Sequence, residues 1–164
     1  MSHVKVSVKI IRALVLAAIY ASLVWLLPGI SYGPIQIRVS IALTPLAYVM
    51  GIEGVIGITL GNTLANALSP YGIWDVIIGF LVALTYTTID YALGKMFGYR
   101  KWMLPIVAII NALVIGAYIG YLLLGVIARV GDPVTLFWLL TAQNFIPAII
   151  GAVVLVPIVK RYVR

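Results

Sequence analysis

The sequence predicts an all-α integral membrane protein, a bundle of six transmembrane helices of which the second and third are short. Three observations carry that prediction. Hydrophobic residues make up 64% of the 164 positions and charged residues only 9%, too little polar surface to cover a water-soluble globule of this size. The apolar residues fall into runs of about 20, the length that crosses a hydrocarbon layer of roughly 30 Å. The 11 basic residues lie in short clusters between those runs, where they set orientation in a bilayer. The bilayer is therefore the first partner, and residues 1–164 read as a single transmembrane domain in the cell membrane.

The first span runs from Val6 to Leu27, and Lys9 and Arg12 near its start snorkel back to the interface. A basic start with an apolar continuation also marks secretory signals, but no small-residue cleavage pattern closes this one and further spans follow, so it reads as a retained helix. Pro28-Gly29 stops it. Ile30 to Ile37, with Ser31, Tyr32, Gly33, Pro34 and Gln36, reads as an ordered loop on the membrane surface. Val39 to Leu68 is apolar apart from Glu53, which Gly51 and Gly54 flank, so two short helices are expected. Rising 1.5 Å per residue, Ser40 to Met50 covers only about 16 Å and Gly54 to Leu68 about 22 Å. They are short crossings or a re-entrant pair. Longer spans follow over Ile73–Gly94, Trp102–Ala128 and Pro133–Val159, and Pro147 is expected to kink the last, freeing a carbonyl near Gln143 and Asn144.

Orientation follows from the basic residues. With both termini in the cytoplasm, Lys5, Lys9, Arg12, Lys95, Arg100, Lys101, Lys160, Arg161 and Arg164 fall inside and only Arg38 and Arg129 outside, nine and two of the 11. A single crossing over Val39–Leu68 would destroy this bias. Six crossings, or four plus a re-entrant hairpin, keep it equally, and the side on which Glu53 lies distinguishes them.

Several functions are disfavoured. A net charge of +7 carried in interspan clusters is membrane topology, not a nucleic-acid footprint. The absence of cysteine excludes disulfides and thiolate metal sites, and the single histidine, His3, lies in a terminal segment where a surface role is expected. The carboxylates are Glu53, Asp75, Asp90 and Asp132; Asp75 and Asp90 lie about 22 Å apart along one helix, too far for an acid/base pair. No phosphate-binding loop is present. We therefore expect no enzyme, no catalytic residue, no metal and no cofactor, with energy supplied by a partner or a gradient.

Placing the polar residues by depth is more informative. Asn62 and Asn66 on the third predicted helix, Tyr118 and Tyr121 on the fifth, and Trp138, Gln143 and Asn144 on the sixth all fall in the outer half. Gln36 and Arg38 at the end of the first loop, and Trp74 and Asp75 at the start of the fourth helix, join them. Together they form a candidate outward-facing pocket. Transmembrane Asn and Gln often only join helices, but several at one depth favour a ligand site. Trp74 and Trp102 read as aromatic-belt anchors. Asp90 lies toward the cytoplasmic end, where pairing with Lys95 or solvation is expected, and stays outside the candidate site. Small residues recur at four-residue spacing in Ala13, Ala17 and Ala21, in Gly57 and Gly61, and in Gly116 and Gly120, which lets helices approach closely. The glycine pairs read as internal packing. The alanine stripe fits either packing or a second protein.

The stretch Gly33-Pro34-Ile35-Gln36-Ile37-Arg38-Val39-Ser40, continuing through Ala42-Leu43-Thr44-Pro45-Leu46 to Gly51, with Gly57, Leu60-Gly61-Asn62 and Leu64-Ala65-Asn66, resembles the queuosine-precursor transporter (QueT) family. The resemblance is specific over residues 33–75 and general, by length and hydropathy, elsewhere. It implies a six-helix substrate-binding S component of an energy-coupling factor (ECF) transporter, with a transmembrane coupling protein and two cytosolic ATPases as partners. The family usually reads Arg-Val-Ser-Glu-Ala-Leu, and Ile41 stands at the glutamate position here. S components also resemble one another in an alanine face on the first helix that docks the coupling protein, a pattern Ala13, Ala17 and Ala21 match. The implied ligand is a queuosine precursor or related 7-deazapurine, whose aromatic plane and donor/acceptor edge ask for stacking rings, amides and a carboxylate. The alternatives are an S component for a different water-soluble vitamin, or a non-transporting membrane scaffold whose polar residues only stitch helices. A channel or proton-coupled carrier would need ionisable residues in mid-membrane, and the sequence reading places none there.

Overall fold

A computed structural model describes residues 2–32 and 35–163, with side chains from residue 6 onward. Gly33 and Pro34 of the first loop, the side chains of His3 and Lys5, and Arg164 lie outside the described residues. The described residues form helices and no strand: α1 (Ser2–Leu26), the single turn α2 (Pro28–Ser31), α3 (Val39–Met50), α4 (Ile52–Asn66), α5 (Ile73–Phe97), α6 (Met103–Ile127) and α7 (Pro133–Lys160). Seven helical segments thus stand where the sequence suggested six, because Pro28, fixed at a helix-compatible φ, starts a turn of its own. Four of them, α1, α5, α6 and α7, are long and apolar enough to cross a membrane. Their exposed sides carry Ile10, Leu14, Phe80, Ile109, Ile146 and similar residues, an apolar exterior suited to lipid.

The short helices connect the two ends of the bundle. Residues Val39–Leu46 of α3 are wound as a 3-10 helix, which rises about 2.0 Å per residue against 1.5 Å in the α form. The extra rise lets a short segment reach farther. Arg38 precedes it near Asp75, and Tyr48 near its far end receives a hydrogen bond from the Arg100 amide at 3.0 Å and donates one to the Gly98 carbonyl. Gly51 then turns the chain with φ 67°, a left-handed conformation that favours glycine. Glu53 is buried in the first turn of α4, 3.8 Å from Arg12, and Arg12 donates to the Tyr162 carbonyl at 3.1 Å. Glu53 therefore lies at the end that holds Arg12 and the last residues of the chain, opposite Arg38, so α3 and α4 run between the ends.

Small residues set how closely the helices pack. Added Cβ atoms on Gly57 and Gly61 would meet the Ala13 and Ala17 carbonyls at 2.7 and 2.8 Å. Ala13, Ala17 and Ala21 are accordingly buried against α4. This corrects the expectation that the alanine stripe offers a face to a second protein: the outward face of α1 instead carries Ile11, Leu14, Val15 and Ile19. Gly116 and Gly120 of α6 meet Phe137 and Leu136 of α7 in the same manner, and Gly151 of α7 lies against the Ala42 carbonyl of α3. Helix α7 continues through Pro147 and winds as π turns over Gly151–Leu155, the wider form that absorbs a break in the hydrogen-bond ladder. Asp132 caps α7 by accepting from the Thr135 amide at 2.7 Å, which holds its carboxyl below the ordinary carboxylate value.

Asp90 differs from its sequence reading. It is wholly buried among α5, α6 and α3, neither solvated nor bonded to Lys95, and it accepts from Asn111 Nδ2 at 3.0 Å while the same amide donates to Thr44 Oγ1 at 2.9 Å. Helix α5 continues to Phe97, past the Gly94 end expected from the sequence, so Asp90 lies farther from the helix end than expected. The bundle thus holds an ionisable side chain in its interior that the sequence reading did not place there.

Gly61→Ala should lower stability by roughly 1–3 kcal/mol, because its Cβ would stand 2.7 Å from that of Tyr20. Gly29→Ala, with nothing within 4 Å, should leave the thermal unfolding midpoint in detergent unchanged.

Candidate functional site

At the end opposite Glu53, the first loop folds inward between α1, α4, α5 and α7. Its anchor is Arg38, only 5% exposed. The Arg38 Nε donates to the Ser31 carbonyl at 2.8 Å and Nη1 to Asn62 Oδ1 at 3.3 Å, Nη2 stands 3.9 Å from Asp75 Oδ2, and the guanidinium lies 5.3 Å from the Tyr32 ring centroid. Burial pushes the Tyr32 phenol up, with Arg38 opposing the shift. Asp75 sits in the first turn of α5, where the helix dipole favours a negative charge. Its ion pair with Arg38 is what permits either charge to be buried.

Asn62 joins three elements. Its Oδ1 accepts from Tyr20 of α1 at 3.1 Å as well as from Arg38, and its Nδ2 donates to the Gly79 carbonyl of α5 at 2.7 Å. One turn farther along α4, Asn66 Nδ2 donates to the Asp75 carbonyl at 3.0 Å. Gly79 makes room for both amides, since a Cβ there would overlap Asn66 Nδ2. Gln36 fixes the loop from the other side: its backbone amide donates to Gln143 Oε1 at 2.8 Å and its side chain to the Ser31 carbonyl. Asn144 turns its Nδ2 back to the Leu140 carbonyl at 2.8 Å.

The sequence-predicted residues therefore separate into two groups. Gln36, Arg38, Asn62, Asn66, Asp75, Gln143 and Asn144 come together in one hydrogen-bonded layer or border it. Tyr121 and Trp138 are 45% and 60% exposed on the outer surface, because their helical registers point them away from the interior. Tyr118 is half-buried and meets Thr85 Oγ1 at 3.3 Å, outside the layer. Residues that the sequence reading did not select are Tyr20, Tyr86 and Ser31. Tyr20 and Tyr86 carried a usable signal, a phenol well inside an apolar span; Ser31 acts through its backbone carbonyl and carried none.

At the centre is a closed hollow of about 10 Å³, walled by Tyr20, Gln36, Arg38, Asn62, Tyr86 and Asn144 with apolar side chains that include Ile41. That is the space of about one water molecule, against the 300 Å³ or more typical of a small-molecule site. Several buried polar atoms around this layer have no hydrogen-bond partner among the described residues: Arg38 Nη2, Asn66 Oδ1, Asp75 Oδ1, Tyr86 Oη and Asn144 Oδ1. Unpaired buried groups of this kind cost roughly 1–3 kcal/mol each. Arg38, Tyr86 and Asn144 of this group line the hollow, while Asn66 and Asp75 lie nearer the loop; further unpaired buried atoms belong to Ser40, Glu53, Thr59, Asp90 and Asn111, outside that wall. Among the described residues no group of His, Cys, Asp and Glu is arranged to hold a metal ion.

Four helices long and apolar enough to cross a membrane define the class, a multi-pass membrane protein. The sequence makes the class particular. It matches the family described as QueT transporter over residues 10–161, most of the 164-residue chain, and the chain belongs to that family. It is thus a multi-pass membrane transport protein, and a family of transporters implies transport and not catalysis. No curated protein and no solved structure matches the chain.

Arg38→Ala should cost roughly 3–5 kcal/mol by leaving Asp75 buried without its cation. The double variant Arg38→Met/Asp75→Leu should recover most of that loss in equilibrium unfolding measurements in micelles.

Proposed function

We propose that this protein is the substrate-binding S component of an ECF-type importer, and that it captures a queuosine precursor or a related 7-deazapurine at the extracellular face. The observation that carries the reading is the group of unpaired buried atoms that Arg38, Tyr86 and Asn144 bring to the hollow, with those of Asn66 and Asp75 nearer the loop, in a chain of the QueT family. The edge of a 7-deazaguanine offers N–H donors beside a carbonyl acceptor. Asp75 Oδ1, Asn66 Oδ1 and Asn144 Oδ1 supply acceptors, Arg38 Nη2 supplies a donor, and Tyr20 and Tyr86 supply aromatic faces. Substrate enters when Gln36 and Arg38 withdraw from Ser31, Gln143 and Asn62, which enlarges the hollow.

In this reading α3 and α4 cross with the four long helices, giving six crossings in a single transmembrane domain. Both termini lie in the cytoplasm, as the basic clusters at that end favour, and a coupling protein with two cytosolic ATPases supplies the energy. With Ala13, Ala17 and Ala21 packed on α4, the coupling protein meets the outward face of α1 instead, at Leu14, Ala18 and neighbouring residues. Ile41 in the cavity wall supports a ligand or binding mode distinct from that of relatives with glutamate there. A second reading, a scaffold whose amides only join helices, draws support from the closure of the hollow to about 10 Å³.

Native mass spectrometry of the purified protein against 7-deazaguanines, purines and water-soluble vitamins tests the two readings. The S-component reading expects one class to bind, and Asn66→Ala and Asn144→Ala each to weaken it roughly tenfold in titration calorimetry, the effect of one lost hydrogen bond, with the folded bundle retained. Unchanged affinity in both variants removes these residues from the site. Absence of any bound solute favours the scaffold.

A further inference from the structure

At the end of the bundle opposite the polar site, the last turn of α7 and the connection from α5 to α6 border an open surface hollow of about 510 Å³, lined by Tyr99, Lys101, Pro157, Lys160 and Arg161. Lys160 Nζ stands 3.6 Å from the Tyr99 ring centroid, so the ring holds the ammonium in place. The ion pairs among the described residues are Arg12 with Glu53 and Arg38 with Asp75. Lys101, Lys160 and Arg161 therefore bring three positive charges to one hollow with no carboxylate partner among the described residues. Like charges held together in this way repel, and an anion between them relieves the repulsion.

The surroundings specify the kind of anion. Trp102 and Phe97, 61% and 44% exposed, meet edge-on with centroids 6.4 Å apart beside Lys101, and an exposed tryptophan at a helix end is typical of the headgroup level. On α7, Val154 and Ile158 are exposed next to Pro157, an apolar strip that an acyl chain covers and a soluble anion does not use. We propose that this hollow binds the phosphate headgroup of an anionic phospholipid, with Lys101, Lys160 and Arg161 on the phosphate and an acyl chain against the outer surface of α7. The inference depends on the membrane setting alone, and its outcome is independent of which solute the opposite end takes.

The test is native mass spectrometry of the full chain in detergent, titrated with phosphatidylglycerol or phosphatidylcholine. Wild-type protein should retain phosphatidylglycerol preferentially. Lys160→Gln/Arg161→Gln should weaken that retention roughly 30-fold, as expected for two interfacial cations, while Lys9→Gln/Lys95→Gln, which removes the same charge elsewhere at this end, changes it less than about threefold. Equal loss in both double variants would assign the effect to general surface charge and overturn the site. Displacement of phosphatidylglycerol by an equal concentration of inorganic phosphate would overturn the lipid assignment. Absence of any preference in the wild type would overturn the proposal without reference to the variants, even if a variant failed to fold.

Discussion

The half of this bundle opposite Glu53 depends on a buried guanidinium. A lone cation inside an apolar helix bundle costs several kilocalories per mole, and only a counter-charge with well-placed acceptors offsets that cost. Arg38 meets both requirements with groups from separate parts of the chain: the Ser31 carbonyl, Asn62 and Asp75. Satisfying one side chain thus fixes the first loop onto α4 and α5. The same requirement explains why Asn62 is shared between Tyr20, Arg38 and Gly79; in an interior with little water, each acceptor serves more than one donor.

That arrangement is possible because α1 and α4 approach without intervening side chains. Where Gly57 and Gly61 face Ala13 and Ala17, backbone contact replaces the hydrophobic driving force that lipid cannot provide, and the register it sets places Tyr20 beside Asn62. Gly79 does the same on α5, leaving space for Asn62 and Asn66 at once. Helix packing and the polar layer therefore share residues, and a change at a glycine reaches that layer without touching a polar group.

The long helices were legible because hydropathy and length report lipid burial directly, and α1, α5, α6 and α7 fall close to their expected spans. Counting 1.5 Å per residue placed Asn62, Asn66, Asp75 and Asn144 in the same half of the bundle, and Asn66 reaches Asp75 while Asn62 reaches Gly79 one turn along α5. Rotation was less legible. A charged or amphipathic pattern normally tells the inside of a helix from its outside, but a helix apolar all round carries no such signal, so Tyr121 and Trp138 could not be assigned a direction, and the alanines of α1 could be given to either face. The 3-10 winding of α3 was not legible, since it answers to the distance the segment must span and not to local propensity. Asp90 was misjudged because a carboxylate is usually near water, and nothing local announces that Asn111 and Thr44 will reach it from two other helices.

Viewed along the bundle, the polar groups form two layers. Arg38, Asn62, Tyr86 and Asn144 wall the closed hollow. Asp90, Asn111 and Thr44 lie about one helical turn deeper, beneath Tyr86, Ile115 and Ile41 respectively. The residues between the layers decide whether they communicate. Ile41 and Ile115 are apolar and buried, so they separate the two networks and confine the upper one. With Ile41 at a position where the family resemblance expects glutamate, the one charged side chain in the cavity wall is Arg38, and Asp75 neutralises it. A wall whose charge is balanced internally presents hydrogen-bonding groups and ring faces with no net charge.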